Sequence, residues 1–160
     1  MTDDELLQKA LGLSYFYLKL RPRSEWEIRE YLVKKTKKYP FTESIIDDVI
    51  SRLKELKFIN DKEYVEWYVR VRSREKPRSA YLLRLELKRR GIAKSHLEDY
   101  FVDDVLDEEK LAVEALSRIW RRIGREERQK RFQKAVSHLA RRGFRYDLIK
   151  KAIAEMEEKR

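Results

Sequence analysis

The chain has 160 residues, 39 basic and 29 acidic, for a formal net charge of +10. Charged and hydrophobic residues each make up 42%, so the chain is more highly charged than an ordinary domain yet not a disordered polyelectrolyte starved of core. It contains no cysteine, which excludes a disulfide scaffold, a zinc–thiolate site and a thiol nucleophile.

Only four glycines and three prolines interrupt the chain, and its richness in Leu, Lys, Glu and Arg predicts helix nearly throughout. No apolar run approaches the roughly 18 residues of a membrane span. The start, Met1-Thr2-Asp3-Asp4-Glu5, is acidic, unlike a secretion signal. A soluble, cytoplasmic protein is expected, and length alone suggests one domain.

Thr2 and Glu5 read as a capping box, the hydroxyl serving the backbone N–H three residues on while the carboxylate reaches back. The helix it opens runs to about Leu20 on a stripe of Leu6, Leu7, Ala10, Leu11, Ser14, Tyr17 and Leu18, and Pro22 ends it. Ser24 and Glu27 form a second box, followed by Trp26, Ile28, Tyr31 and Leu32, with Pro40 as the next break. Thr42 caps a third helix carrying Ile45, Ile46, Val49, Ile50, Leu53 and Leu56. Asn60-Asp61 opens a fourth with Tyr64, Val65, Tyr68 and Val71. Pro77 and Ser79 open a fifth with Leu82, Leu83 and Leu87, closed at Gly91. A short sixth begins near Ser95, with Leu97, Phe101 and Val105 or Leu106. Asp107 caps a seventh with Leu111, Ala115, Leu116, Ile119 and Ile123. After Gly124 comes a basic eighth with Phe132, Val136 and Leu139, ended by Gly143. The ninth carries Leu148, Ile149, Ala152, Ile153 and Met156.

An internal repeat organises these nine helices. Pro22-Arg23-Ser24-Glu25-Trp26 matches Pro77-Arg78-Ser79-Ala80-Tyr81 at a spacing of 55 residues, where Ile28 meets Leu83 and Leu32 meets Leu87. Leu87-Lys88-Arg89-Arg90-Gly91-Ile92 matches Leu139-Ala140-Arg141-Arg142-Gly143-Phe144 at a spacing of 52. The pattern predicts three tandem three-helix units, over residues 1–60, 61–106 and 107–160, each burying one face internally and one against its neighbour. Gly91 and Gly143 suit a left-handed C′ residue, with Ile92 and Phe144 folding back on the helix. The first unit has Thr36 where this glycine would fall, so a different turn is expected there.

Catalytic chemistry finds little support. His96 and His138 belong to no metal-ligand spacing. Asp47-Asp48 and Asp103-Asp104 are adjacent pairs, which point about 100° apart on a helix and do not converge on one substrate. No glycine-rich phosphate loop exists, and the Ser and Thr positions are explained by caps. Neither an enzyme nor a cofactor nor a metal site is expected.

What remains is charge. Residues 107–160 hold 16 basic against 10 acidic residues, while residues 1–60 hold 12 against 10 and residues 61–106 hold 11 against 9. Within residues 118–145 stand Arg121, Arg122, Arg125, Arg141, Arg142 and Arg145 among other cations, opposed by Glu126 and Glu127. A second cluster is Arg70, Arg72, Arg74, Lys76 and Arg78, followed by Lys88, Arg89 and Arg90. Arginine forks suit phosphates and carboxylates, so a polyanion such as nucleic acid, or an acidic protein surface, is the expected partner. Some of these arginines also answer the dipole of a helix C-terminus.

The motifs resemble those of one known family. Arg23-Ser24-Glu25-Trp26-Glu27-Ile28-Arg29-Glu30-Tyr31-Leu32 looks like the signature of the first repeat of RecX regulatory proteins, and Leu53 through Val65 resembles the segment that follows it. Val71 to Arg74, Leu87 to Ile92 and Leu139 to Phe144 fall in the family's order, so the resemblance spans about residue 6 to residue 156. Lys57 stands where the family has glycine, and Lys76-Pro77-Arg78 replaces a glycine before the second-repeat helix. Both departures touch helix junctions. The resemblance implies a curved, elongated all-α array of three-helix units that binds the groove of the RecA filament on single-stranded DNA. It also implies that RecA strand exchange and ATP hydrolysis are modulated, most often inhibited. Affinity for single-stranded DNA is implied, with double-stranded DNA a second candidate. Separately from the resemblance, a monomer with no membrane contact is expected. The basic faces of units two and three are then the expected contacts: Arg70, Arg72, Arg74, Arg78, Lys88, Arg89, Arg90, Arg121, Arg122, Arg125, Arg141, Arg142 and Arg145. The aromatic residues are expected mainly to pack the units. The alternative is a stand-alone DNA binder of helix-turn-helix type with no RecA partner.

Overall fold

A computed structural model describes residues 1–102 and 105–160. The Asp103-Asp104 pair lies outside the described residues. Among the described residues the chain forms nine α-helices and no strand: α1 (Asp3–Leu20), α2 (Glu25–Lys35), α3 (Glu43–Glu55), α4 (Asp61–Glu75), α5 (Ala80–Arg89), α6 (Lys94–Tyr100), α7 (Glu108–Ile123), α8 (Arg128–Arg141) and α9 (Tyr146–Glu158). No helix among these residues is long and apolar enough to cross a membrane.

Helix starts follow the capping chemistry of the sequence. Thr2 with Glu5, and Ser24 with Glu27, close reciprocal capping boxes. The Thr42 hydroxyl, Asn60 Oδ1, Ser79 hydroxyl and Asp107 Oδ1 each accept from the backbone N–H three residues on. α5 and α8 end alike. Ile92 N–H donates to Leu87 O and Gly91 N–H to Lys88 O, and the same pair of bonds joins Phe144 to Leu139 and Gly143 to Ala140. This is the Schellman arrangement, and it needs φ of +77° at Gly91 and +84° at Gly143. α2 ends differently, on Thr36 in the right-handed region.

α3 ends in the same motif without glycine. Phe58 N–H donates to Leu53 O and Lys57 N–H to Lys54 O, with Lys57 at φ +62°. The turn that the absent glycine put in question is therefore made by a lysine held in the left-handed region.

Two compact bodies form. The first comprises Met1–Trp67 with Leu87–Leu97. In it α1, α2 and α3 pack on one another around Leu6, Ala10, Leu11, Ile28, Leu32, Ile45, Ile46, Val49, Ile50 and Leu53. The second comprises Tyr68–Glu86 with Glu98–Arg160. Its helices α7, α8 and α9 pack around Ala112, Ala115, Leu116, Ile123, Ala135, Leu139, Ile149 and Ile153. The spacing of these residues by three and four is what places each on one helix face.

Each body contains one copy of the same joint. In the first, the Ser24 hydroxyl donates to Arg90 O at 2.8 Å. A Cβ built on Gly91 would lie 2.1 Å from the Cβ of Trp26. In the second, Ser79 N–H donates to Arg142 O at 2.9 Å. A Cβ on Gly143 would lie 2.3 Å from the Ser79 hydroxyl oxygen. The N-terminus of one second helix thus seats the glycine turn that ends the next, which explains why Pro-Arg-Ser and Leu-x-x-Arg-Gly recur together.

Candidate polyanion-binding surface

On α8, Lys130, Lys134, His138 and Arg141 follow one another at spacings of three and four, beside the buried row Arg131, Ala135 and Leu139. Burying that row leaves the first set flanking α7. There they form a groove with Ile119 and Arg122. Glu126 is its nearby acid, pairing with Lys134 at 2.6 Å and Lys130 at 3.4 Å. Arg122 and Arg141 are exposed on the groove's rim.

His138 sits inside this cationic wall. Its Nε2 lies 3.1 Å from Ala115 O, and since a carbonyl only accepts, Nε2 carries the hydrogen. Burial pushes the imidazole below the ordinary histidine range, and the charges of Arg142, Arg141 and Arg122 push the same way against the Ala115 carbonyl. Arg142 is itself half-buried, and after burial the neighbours that disfavour its charge are Arg78, Arg118 and Arg141. Arg118 is oriented by Glu75 O and Arg74 O at the end of α4, 2.8 and 2.7 Å away. Like charges are thus held together here by backbone carbonyls as well as by carboxylates.

The remaining basic residues divide by burial. Arg78 is 3% exposed. It pairs with Glu86 and donates from Nε to Lys76 O at 2.8 Å, while Tyr68 donates its hydroxyl to the same carboxylate at 3.0 Å. Arg78 is therefore part of the interior and presents no charge to a partner. Arg72 is half-buried between Glu75 and Glu86, with its Nε buried and unbonded. Arg90 is half-buried and bonded to Glu27. Arg70, Arg74, Lys88, Arg89, Arg121, Arg125 and Arg145 are exposed. The structure brings Arg122 and Arg141 to one groove and places Arg142 near Arg78 and Arg141. Lys88 and Arg89 belong to the other body.

Sequence reasoning set His138 aside and left Arg118, Lys130 and Lys134 out of the contact set. The helical register of Lys130, Lys134, His138 and Arg141 was the available signal. The aromatic residues also divide. Tyr17 and Tyr31 stack at 4.1 Å and Tyr64 is buried, but Trp26 and Tyr81 are 41% and 66% exposed.

Comparison with known proteins gives a consistent result. Family models for the first, second and third three-helix domains of RecX match residues 10–53, 60–100 and 107–153 in that order. The regulatory protein RecX of Geobacillus sp. (strain WCH70) is 31% identical over 158 residues, covering 96% of this chain and 56% of its own length. That of Bacillus pumilus (strain SAFR-032) is 30% identical over 154 residues, covering 94% of this chain and 56% of its own. The chain thus spans about half the length of these relatives. The RecX of Prosthecochloris aestuarii is 29% identical, with 98% of each chain covered. The crystal structure of RecX from Lactobacillus salivarius shares the fold, with a TM-score of 0.76 at 24% identity, over 96% of this chain and 98% of that one.

Proposed function

The chain belongs to the RecX family of regulatory proteins, and from that premise we propose that it binds the RecA filament on single-stranded DNA and restrains RecA recombination and ATP hydrolysis. The observation that carries this reading is the α7–α8 groove, where Arg122 and Arg141 line a wall whose nearby acid, Glu126, is already bound to two lysines. Such a wall attracts a long anionic partner and releases its counterions on contact. A filament is a repeating surface, and a chain of three-helix units can touch it at several places at once. Weak contacts then combine through high effective concentration. Arg89 and Lys88 supply a second exposed basic site in the other body.

The test is RecA ATPase on single-stranded DNA with and without the purified chain. A dose-dependent fall in turnover supports the reading. If RecA alters neither the chain's affinity for DNA nor its own turnover, the protein is a DNA binder without a RecA partner.

A further inference from the structure

The two joints each leave one aromatic ring exposed beside arginines. Trp26 and Tyr81 occupy matching positions, two residues after Ser24 and Ser79 and 55 residues apart. Both lie in the first turn of their helices; Trp26 lies against the Gly91 turn, and Tyr81 lines a groove with Gly143.

In the first body Trp26 shares a groove with Tyr17, Tyr31, Lys34, Arg89 and Arg90. Tyr17 and Tyr31 are stacked on each other, and Arg23 lies 3.7 Å over the Tyr17 ring. Trp26, in contrast, is 41% exposed. The absence of a side chain at Gly91 is what lets the turn approach the Trp26 Cβ and Cγ. That contact braces the indole at its root. The carboxylates of the groove are Glu30 and Glu27, and Glu27 is bonded to Arg21 and Arg90.

In the second body Tyr81 shares a groove with Arg84, Phe101, Arg145 and Gly143. The acids there are engaged. Glu108 accepts from Ala80 N–H at 2.8 Å, Asp107 caps α7, and Glu109 pairs with Lys151 at 3.2 Å.

An exposed ring with basic side chains in the same groove offers two things an unpaired nucleotide needs, a face for the base and cations for the phosphate. We propose that Trp26 and Tyr81 are stacking platforms for the bases of single-stranded nucleic acid, with Arg89 and Lys34 beside the first and Arg84 and Arg145 beside the second holding the adjoining phosphates. The proposal rests on the reading above for the source of the strand, but the platforms act on the strand itself and not on RecA.

The experiment measures binding of the full chain to oligothymidylate and to a strand of equal length with abasic sites, at one salt concentration. The wild type binds oligothymidylate more tightly. Trp26→Leu and Tyr81→Leu each weaken that binding by about tenfold and leave the abasic strand's affinity unchanged. Trp26→Phe, which keeps a ring, retains most of the affinity but loses the fluorescence quenching that oligothymidylate produces in the wild type. Unchanged circular dichroism of the variants separates the effect from misfolding. Equal affinity of the wild type for the two strands overturns the proposal, as does undiminished oligothymidylate binding by both leucine variants. Neither outcome touches the RecA reading, which stands or falls on ATPase turnover. Conversely, base-dependent binding with unaltered RecA turnover keeps the platforms and removes the regulator.

Discussion

Arg90 reaches back across 63 residues of sequence to place Nη1 2.9 Å from Oε1 of Glu27. Glu27 is 6% exposed. Its carboxylate also accepts from Arg21 at 2.8 Å, from Ser24 N–H at 3.0 Å and from the Tyr64 hydroxyl at 3.3 Å. Burial opposes its charge, but the bonds from Arg21, Ser24 and Arg90 outweigh burial and hold the carboxyl below its ordinary range. Tyr64 responds in the opposite sense: burial, then the Glu27 charge, pushes it up to about 12.

Glu27→Gln should therefore cost about 2–4 kcal/mol, since it leaves Arg21 and Arg90 facing a neutral group at the joint. The pH dependence has a definite sign. A carboxyl depressed in the folded state contributes stability that is fully present above its unfolded value, near 4.3, and is lost as pH falls through the folded value. Thermal melts of wild type and variant should accordingly converge as the pH is lowered below about 4. A constant difference across that range would show that Glu27 is not the titrating group.

Gly91→Ala and Gly143→Ala should each destabilise by about 2–3 kcal/mol, from a left-handed backbone with a side chain and from crowding against the seat of the joint. Gly12→Ala is the control. Nothing lies within 4 Å of its added Cβ, so the higher helix propensity of alanine should raise stability by about 0.5–1 kcal/mol. Urea denaturation of the three variants measures the contrast.

Lys57→Gly should raise stability by about 1 kcal/mol, because it relieves the left-handed strain at φ +62°. The gain should appear in the denaturation midpoint with an unchanged denaturant slope. A loss instead would mean that the lysine side chain contributes more than its backbone costs.

On the proposed reading, reversing charge at Arg122 and Arg141 should weaken binding to RecA-coated single-stranded DNA and flatten its salt dependence by about one unit of slope per lost phosphate contact, with helicity intact. Reversal at Arg78 should instead unfold the region, since that residue is buried against Glu86. His138 offers a reporter. It titrates below the ordinary histidine value in the free protein, and a polyanion seated in the groove should raise its midpoint by offsetting the surrounding arginines. Proton NMR across pH 5–8 reads both states.

The helices and their caps were legible because each signal is local. Thr2, Ser24, Thr42, Asn60, Ser79 and Asp107 act within three residues of themselves. The glycine turns at Gly91 and Gly143 were legible for the same reason. The fate of individual charges was not. Arg78 and Arg89 look alike in sequence, yet one is enclosed and the other exposed. What decides is a carboxylate brought up by another turn or helix, Glu86 for Arg78 and Glu27 for Arg90. The exposure of Trp26 was hidden likewise. An aromatic in an amphipathic segment reads as core unless the turn occupying its neighbourhood, here Gly91, is known.

The bond from Ser79 N–H to Arg142 O uses no atom of the arginine side chain. This one bond of the joint is made by main chain alone, so it does not depend on the guanidinium at position 142. A change of side chain there alters the charge beside Arg118 and Arg141 while leaving that backbone bond in place. Charge and backbone alignment are thus carried by different atoms of the same residue.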